Sequence, residues 1–144
     1  MNERGILVKR YLLFWVVLLL LAFTNGALRE LTYKNVIGEP WAHQLSVVTG
    51  IVIMGIAIRF AVKRWSFASQ RQAVSVGILW VALTEIFEAA MILSGSTNTI
   101  EVFISQHNIA AGELWPLFVL WVGVAPVLFY RLRVKKEQSA ISLP

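Results

Sequence analysis

The chain is 144 residues long, 58% hydrophobic and 15% charged, with mean hydropathy +0.69 and a formal net charge of +5. So much apolar sequence with so little charge excludes an ordinary soluble domain, whose apolar residues recur in short periodic runs. The absence of cysteine excludes disulfides, thiolate chemistry and sulfur-ligated metals.

A helix that crosses a hydrocarbon core of about 30 Å needs about 20 mostly apolar residues. Four segments meet that requirement: 11–28, 43–62, 72–93 and 108–130. Arg4, Lys9 and Arg10 precede the first, in the manner of a signal peptide. Cleavage in FTNGAL, however, would put Asn25 where a small residue is required, so the segment is read as an uncleaved helix. The stretch Arg29–Ala42 then reads as a loop, with Gly38 and Pro40 marking a turn and Trp41 suited to the membrane interface. The second and third spans are joined by the short basic connection Lys63–Gln72. The next connection, Ser94–Asn108, opens with turn-formers and then spaces Ile100, Phe103 and Ile104 as a short surface helix would. Pro116 and Pro126 fall within the fourth span. Pro116 frees the carbonyl of Gly112, which predicts a kink beside Glu113. Residues 133–144 read as a flexible basic tail.

All 13 basic residues except Arg29 and Lys34 fall on one side of these spans, which predicts that both termini are cytoplasmic. The short connections make successive helices antiparallel neighbours. The expected fold is therefore all-α, a single-domain, up-down-up-down four-helix bundle in the membrane. Gly50, Gly55, Ala57, Ala73 and Gly77 are placed to let helices approach closely. The basic clusters act as topology determinants that touch anionic lipid head groups. No nucleic-acid recognition module accompanies them. A homo-oligomer or a membrane-protein partner is compatible with this pattern.

Polar residues concentrate at one depth. Counting about 1.5 Å per residue back from Leu93, Glu85 lies about 12 Å and Glu88 about 8 Å below the outer boundary. Their i, i+3 spacing puts them on one face, with Thr84 at i, i+4 to Glu88. Glu113 is expected at roughly 6–8 Å depth by the same rise. Asn25 and Arg29 share a face at the outer end of the first span, His43 and Gln44 begin the second, and His107 and Asn108 begin the fourth. Two carboxylates this close cannot both ionise cheaply in a low dielectric, and they should titrate as a coupled unit. Arg29 is the cation expected to offset them, by pairing with Glu85, Glu88 or Glu113.

The segments Asn25-Gly26-Ala27-Leu28-Arg29-Glu30, Ala42-His43-Gln44-Leu45-Ser46, Leu83-Thr84 with Phe87-Glu88, and Asn108-Ile109 with Gly112 and Leu114-Trp115 form a pattern covering most of the chain. It resembles a family of small four-helix bacterial inner-membrane proteins without an established activity. The resemblance implies the four-helix fold and a location in the bacterial plasma membrane, and it assigns no catalytic role.

Three functional readings follow. The polar residues line a periplasm-facing pocket for a proton, a cation or a small polar ligand. Alternatively, they fix helix register in a structural or accessory subunit of a larger complex. The third reading is an enzyme acting on lipid head groups, although no nucleophile elbow, phosphate loop or metalloprotease helix is present. No cofactor is expected. A haem or metal held by His43 and His107 is the one arrangement that can be drawn, and the di-iron Glu-x-x-His signature is missing.

Overall fold

The computed structural model describes residues 3–95 and 100–141, and every regular element within them is helical. Helix α1 (Glu3–Leu28) continues through a π-helical turn (Arg29–Tyr33) into the short α2 (Lys34–Ile37). Then come α3 (Glu39–Arg64), α4 (Gln70–Ser94), the seven-residue α5 (Ile100–Gln106), a 3-10 turn (Ile109–Ala111) and α6 (Trp115–Ile141). Four helical stretches are long and apolar enough to cross a membrane: Lys9–Ile37, Glu39–Arg64, Gln70–Ser94 and Trp115–Ile141.

The breaks between helices have local causes. No helix breaker occurs between Leu28 and Gly38, and Lys34 pairs with Glu30 at i, i+4 (2.7 Å). The expected loop Arg29–Ala42 is therefore mostly helix, and the chain turns only at Gly38, whose φ of 82° suits glycine. Pro40 sits in the first turn of α3, where its missing N–H costs nothing. Helix α4 is capped by Ser69, whose hydroxyl accepts from Gln72 N, while the Gln72 side chain accepts from Ala68 N. The surface helix expected around Ile100–Ile104 is present as α5, and the turn-formers at 96–99 lie outside the described residues.

The fourth spanning helix starts at Trp115, not at residue 108. Gly112 takes the left-handed conformation (φ 90°) and ends the 3-10 turn. Pro116 then falls in the first turn of α6, so it starts the helix and no kink arises beside Glu113. His107, Asn108 and Glu113 consequently precede the helix. The expected flexible tail is also helical as far as Ile141. Arg133 pairs with Glu137 (2.9 Å), and its guanidinium donates to the Val62 and Lys63 carbonyls and to Ser66 Oγ. A cation there caps the C-terminal end of α3.

The backbones approach most closely along α4 and α6, then along α3 and α6, then along α1 and α3. At the α4–α6 crossing the backbones touch: a Cβ built on Gly77 would lie 2.2 Å from the Gly123 carbonyl oxygen. Helices α1 and α4 come close only briefly and are joined chiefly by side chains. The end carrying most of the basic residues is filled by aromatic side chains. Tyr11 stacks on Phe67 (4.8 Å between centroids), and Phe14 packs against Trp65 and Trp80. The Trp80 indole is fully buried and donates to the Tyr11 carbonyl at 3.0 Å. This packing closes one end of the molecule, and the cavity lies toward the opposite, polar end.

Candidate functional site

A cavity of about 210 Å³ lies between α1, α3, α4 and the start of α6. Its deep end is apolar, formed by residues such as Trp15, Leu18, Met54 and Val122. Its polar groups are Asn25, Arg29, His43, Ser46, Thr84 and Glu88.

Asn25 ties α1 to α3. Its amide nitrogen donates to the Ser46 carbonyl (2.7 Å) and Ser46 Oγ (3.1 Å), and its oxygen accepts from Thr49 Oγ1 (2.9 Å). A half-buried amide in an apolar span needs such partners, because hydrocarbon cannot replace them.

Arg29 is placed differently from the sequence expectation. Its Nε and Nη2 both donate to Glu30 Oε1 (3.1 and 2.9 Å), so its charge is matched by its own neighbour in the chain and not by Glu85, Glu88 or Glu113. Arg29 Nη1 lies 3.1 Å from His43 Nδ1. Guanidinium only donates, so Nδ1 accepts, and the His43 ring proton resides on Nε2. That nitrogen is 3.5 Å from Glu113 Oε2. At that distance the carboxylate attracts the ring without hydrogen bonding to it, so the buried Nε2–H has no hydrogen-bond acceptor. The Trp115 indole N–H, on another cavity-lining residue, is likewise buried and unpartnered.

His107 makes a second histidine–glutamate pair. Its Nδ1 lies 2.8 Å from the Phe103 carbonyl, which can only accept, so Nδ1 carries a proton. Its Nε2 lies 3.0 Å from Glu85 Oε2, and one proton is shared across that contact. Burial pulls the His107 pKa down, but the Phe103 carbonyl and the Glu85 carboxylate outweigh it and hold the imidazole above its ordinary value. A raised folded-state pKa stabilises the fold fully below the unfolded value of 6.5, and this contribution fades as pH rises through the folded value. Thermal unfolding in detergent should therefore show α5 docking weaken from neutral to alkaline pH. In His107→Gln that part of the pH dependence should disappear.

Glu88 differs from the other two glutamates. It lines the cavity and makes no hydrogen bond or ion pair among the described residues. Glu85 thus pairs with a histidine while Glu88 faces the cavity, and the two carboxylates remain close enough to repel each other. Gln44 is half-buried and lies outside the cavity lining. Sequence reasoning missed Trp15 and Thr49, and it held Ser46 and Trp115 only as members of a resemblance pattern, not as site residues. The available signal was an indole in mid-span and two hydroxyls at i, i+3, all of which need partners in hydrocarbon.

Of the four ring nitrogens on the two histidines, three are engaged within the protein: both on His107, and His43 Nδ1 by Arg29. His43 Nε2 is the exception. Among the described residues, no three His, Cys, Asp or Glu side chains converge as a metal-binding group.

Fold and composition together define the class: an α-helical membrane protein with four apolar helices. Compared with protein-family models, curated proteins and solved structures, the chain matches none.

Proposed function

We propose that this is a non-enzymatic, multi-pass protein of the bacterial inner membrane whose cavity binds a small ligand through a cationic or hydrogen-bond-donating group. The observation that carries the reading is Glu88, a carboxylate without a partner in a largely apolar cavity. In its ionised form a carboxylate held in such surroundings gains most from a donor that brings positive charge. Arg29 is already matched by Glu30, so it does not pair with Glu88. The unpartnered His43 and Trp115 N–H groups provide donors for an acceptor atom on the same ligand.

The test is equilibrium binding of decylamine to the protein in lipid nanodiscs, corrected for uptake by empty discs. Loss of a charge-assisted hydrogen bond is worth about 1.5–3 kcal/mol, so Glu88→Gln should weaken binding roughly 10–100-fold. Unchanged affinity in Glu88→Gln would overturn the assignment.

The resemblance in the Asn25–Glu30 and Ala42–Ser46 segments supports the bacterial location. The charge bias supports an up-down-up-down arrangement with cytoplasmic termini and a cavity facing the periplasm. A cysteine at Asn35 should react with an impermeant maleimide added to whole cells with a permeable outer membrane, whereas one at Ser69 should not. The reverse pattern would invert the orientation. The second reading, an accessory subunit stabilised by a register-fixing network, draws on the Asn25–Ser46–Thr49 bonds and the Glu85–His107 pair. These contacts surround the cavity without filling it.

A further inference from the structure

We infer that the cavity takes its ligand from the bilayer, through the seam between α1 and α4, and that the ligand is a membrane-dissolved amphiphile with an amine head. This rests on reading the cavity as a binding site with Glu88 as its acceptor, and it adds where the ligand comes from and what its remaining atoms are.

Three observations converge on the seam. First, the backbones close the molecule along α1–α3, α3–α6 and α6–α4, but α4 returns to α1 with little backbone contact. Second, along the cavity the seam is closed by a few side chains: Trp15 Nε1 donates to Thr84 Oγ1 (3.2 Å), and the Phe87 ring meets Trp15 (6.4 Å) and Phe23 (6.1 Å). All four residues also line the cavity. Third, Phe23 is 52% exposed on the apolar surface while also forming a wall of the cavity, so one ring separates the inside from the lipid. Aromatic side chains turn about χ1 on fast timescales, whereas parting two packed backbones is slow and costly.

The chemistry of the lining agrees with this route. A water-borne ammonium would have to shed its hydration shell to reach an apolar chamber. The ammonium head of a membrane-dissolved amphiphile incurs the same desolvation, but its chain exchanges lipid contacts for Trp15, Leu18 and Met54 at little cost while the head meets Glu88. At about 210 Å³ the chamber is smaller than the roughly 300–1,000 Å³ typical of drug-sized ligands. It therefore holds the head and the first part of a chain, and the rest of that chain extends through the seam into lipid.

The natural chain has no cysteine, so a single introduced thiol reports access cleanly. Ala22→Cys places that thiol on the cavity wall. The protein in liposomes is treated with a long-chain alkyl maleimide and, separately, with a sulfonated maleimide on both faces. Leu20→Cys, on the exposed apolar surface, calibrates the concentration of the lipid-borne reagent. The expected result is labelling of Ala22→Cys by the alkyl reagent, accelerated at least threefold by adding Phe23→Ala, with the sulfonated reagent slow in both. Labelling by the sulfonated reagent as fast as by the alkyl one would overturn the lipid route, as would an alkyl rate unaffected by Phe23→Ala. These rates do not depend on Glu88, so a failure of the Glu88 binding test with the labelling pattern intact removes the head-group assignment alone. A fold check by gel filtration accompanies each variant, and Phe23→Leu, which keeps an apolar plug, should behave as the parent.

Discussion

Gly77→Ala should destabilise the protein by about 3 kcal/mol, at the upper end of the overpacking range. The new Cβ would lie 2.2 Å from the Gly123 carbonyl oxygen, a distance at which something must move. Both partners are helix backbone, so no side chain can rotate aside, and α4 and α6 must separate along their tightest contact. Alanine's better helix propensity returns at most about 1 kcal/mol and does not change the sign. The reciprocal change gives a control. A Cβ on Gly123 meets Val81 Cγ2 at 2.8 Å; a helical valine is stiff at χ1, but one side-chain methyl gives more readily than a helix carbonyl, so Gly123→Ala should cost less. Denaturation in mixed micelles measures both. Equal and small losses would show that the two helices do not cross at Gly77.

Trp80→Ala should cost about 3 kcal/mol, near the lower end of the range for deleting a large buried aromatic. The lower end applies because lipid competes for apolar surface more effectively than water does. The lost packing and the void remain. Trp80 is fully buried, contacts Tyr11 and Phe14 through its ring and donates to the Tyr11 carbonyl. Trp80→Phe, which keeps a six-membered ring but loses the pyrrole part and its N–H, should cost less than Trp80→Ala, about 1–2 kcal/mol. Because Trp80 sits at the closed end, away from the cavity lining, Trp80→Phe should leave decylamine binding unchanged. A binding loss in Trp80→Phe comparable to that in Glu88→Gln would mean that the amine does not sit where we place it.

Hydropathy and charge, which are summed over local windows, were enough to identify four apolar helices and a shared depth of polar residues at one end. The positions of Asn25, Arg29, His43, Thr84 and Glu88 along their helices were legible for the same reason: a 1.5 Å rise converts sequence number directly into depth. Partner choice was not legible, because it depends on how the helices are rotated about their axes and which backbones meet. Arg29 had three glutamates within plausible reach across the bundle, and it took Glu30, the one its own chain already held beside it. His107 and Glu113 read as the beginning of a helix. The left-handed Gly112 and the Pro116 start kept them ahead of α6, where they meet Glu85 and His43. Gly77 could be recognised as a small residue in a span, but its match with Gly123 brings together positions 46 residues apart and exists only once α4 and α6 cross. The sparse backbone contact between α1 and α4 has the same origin. It is a property of how four helices share their contacts, and no single segment encodes it.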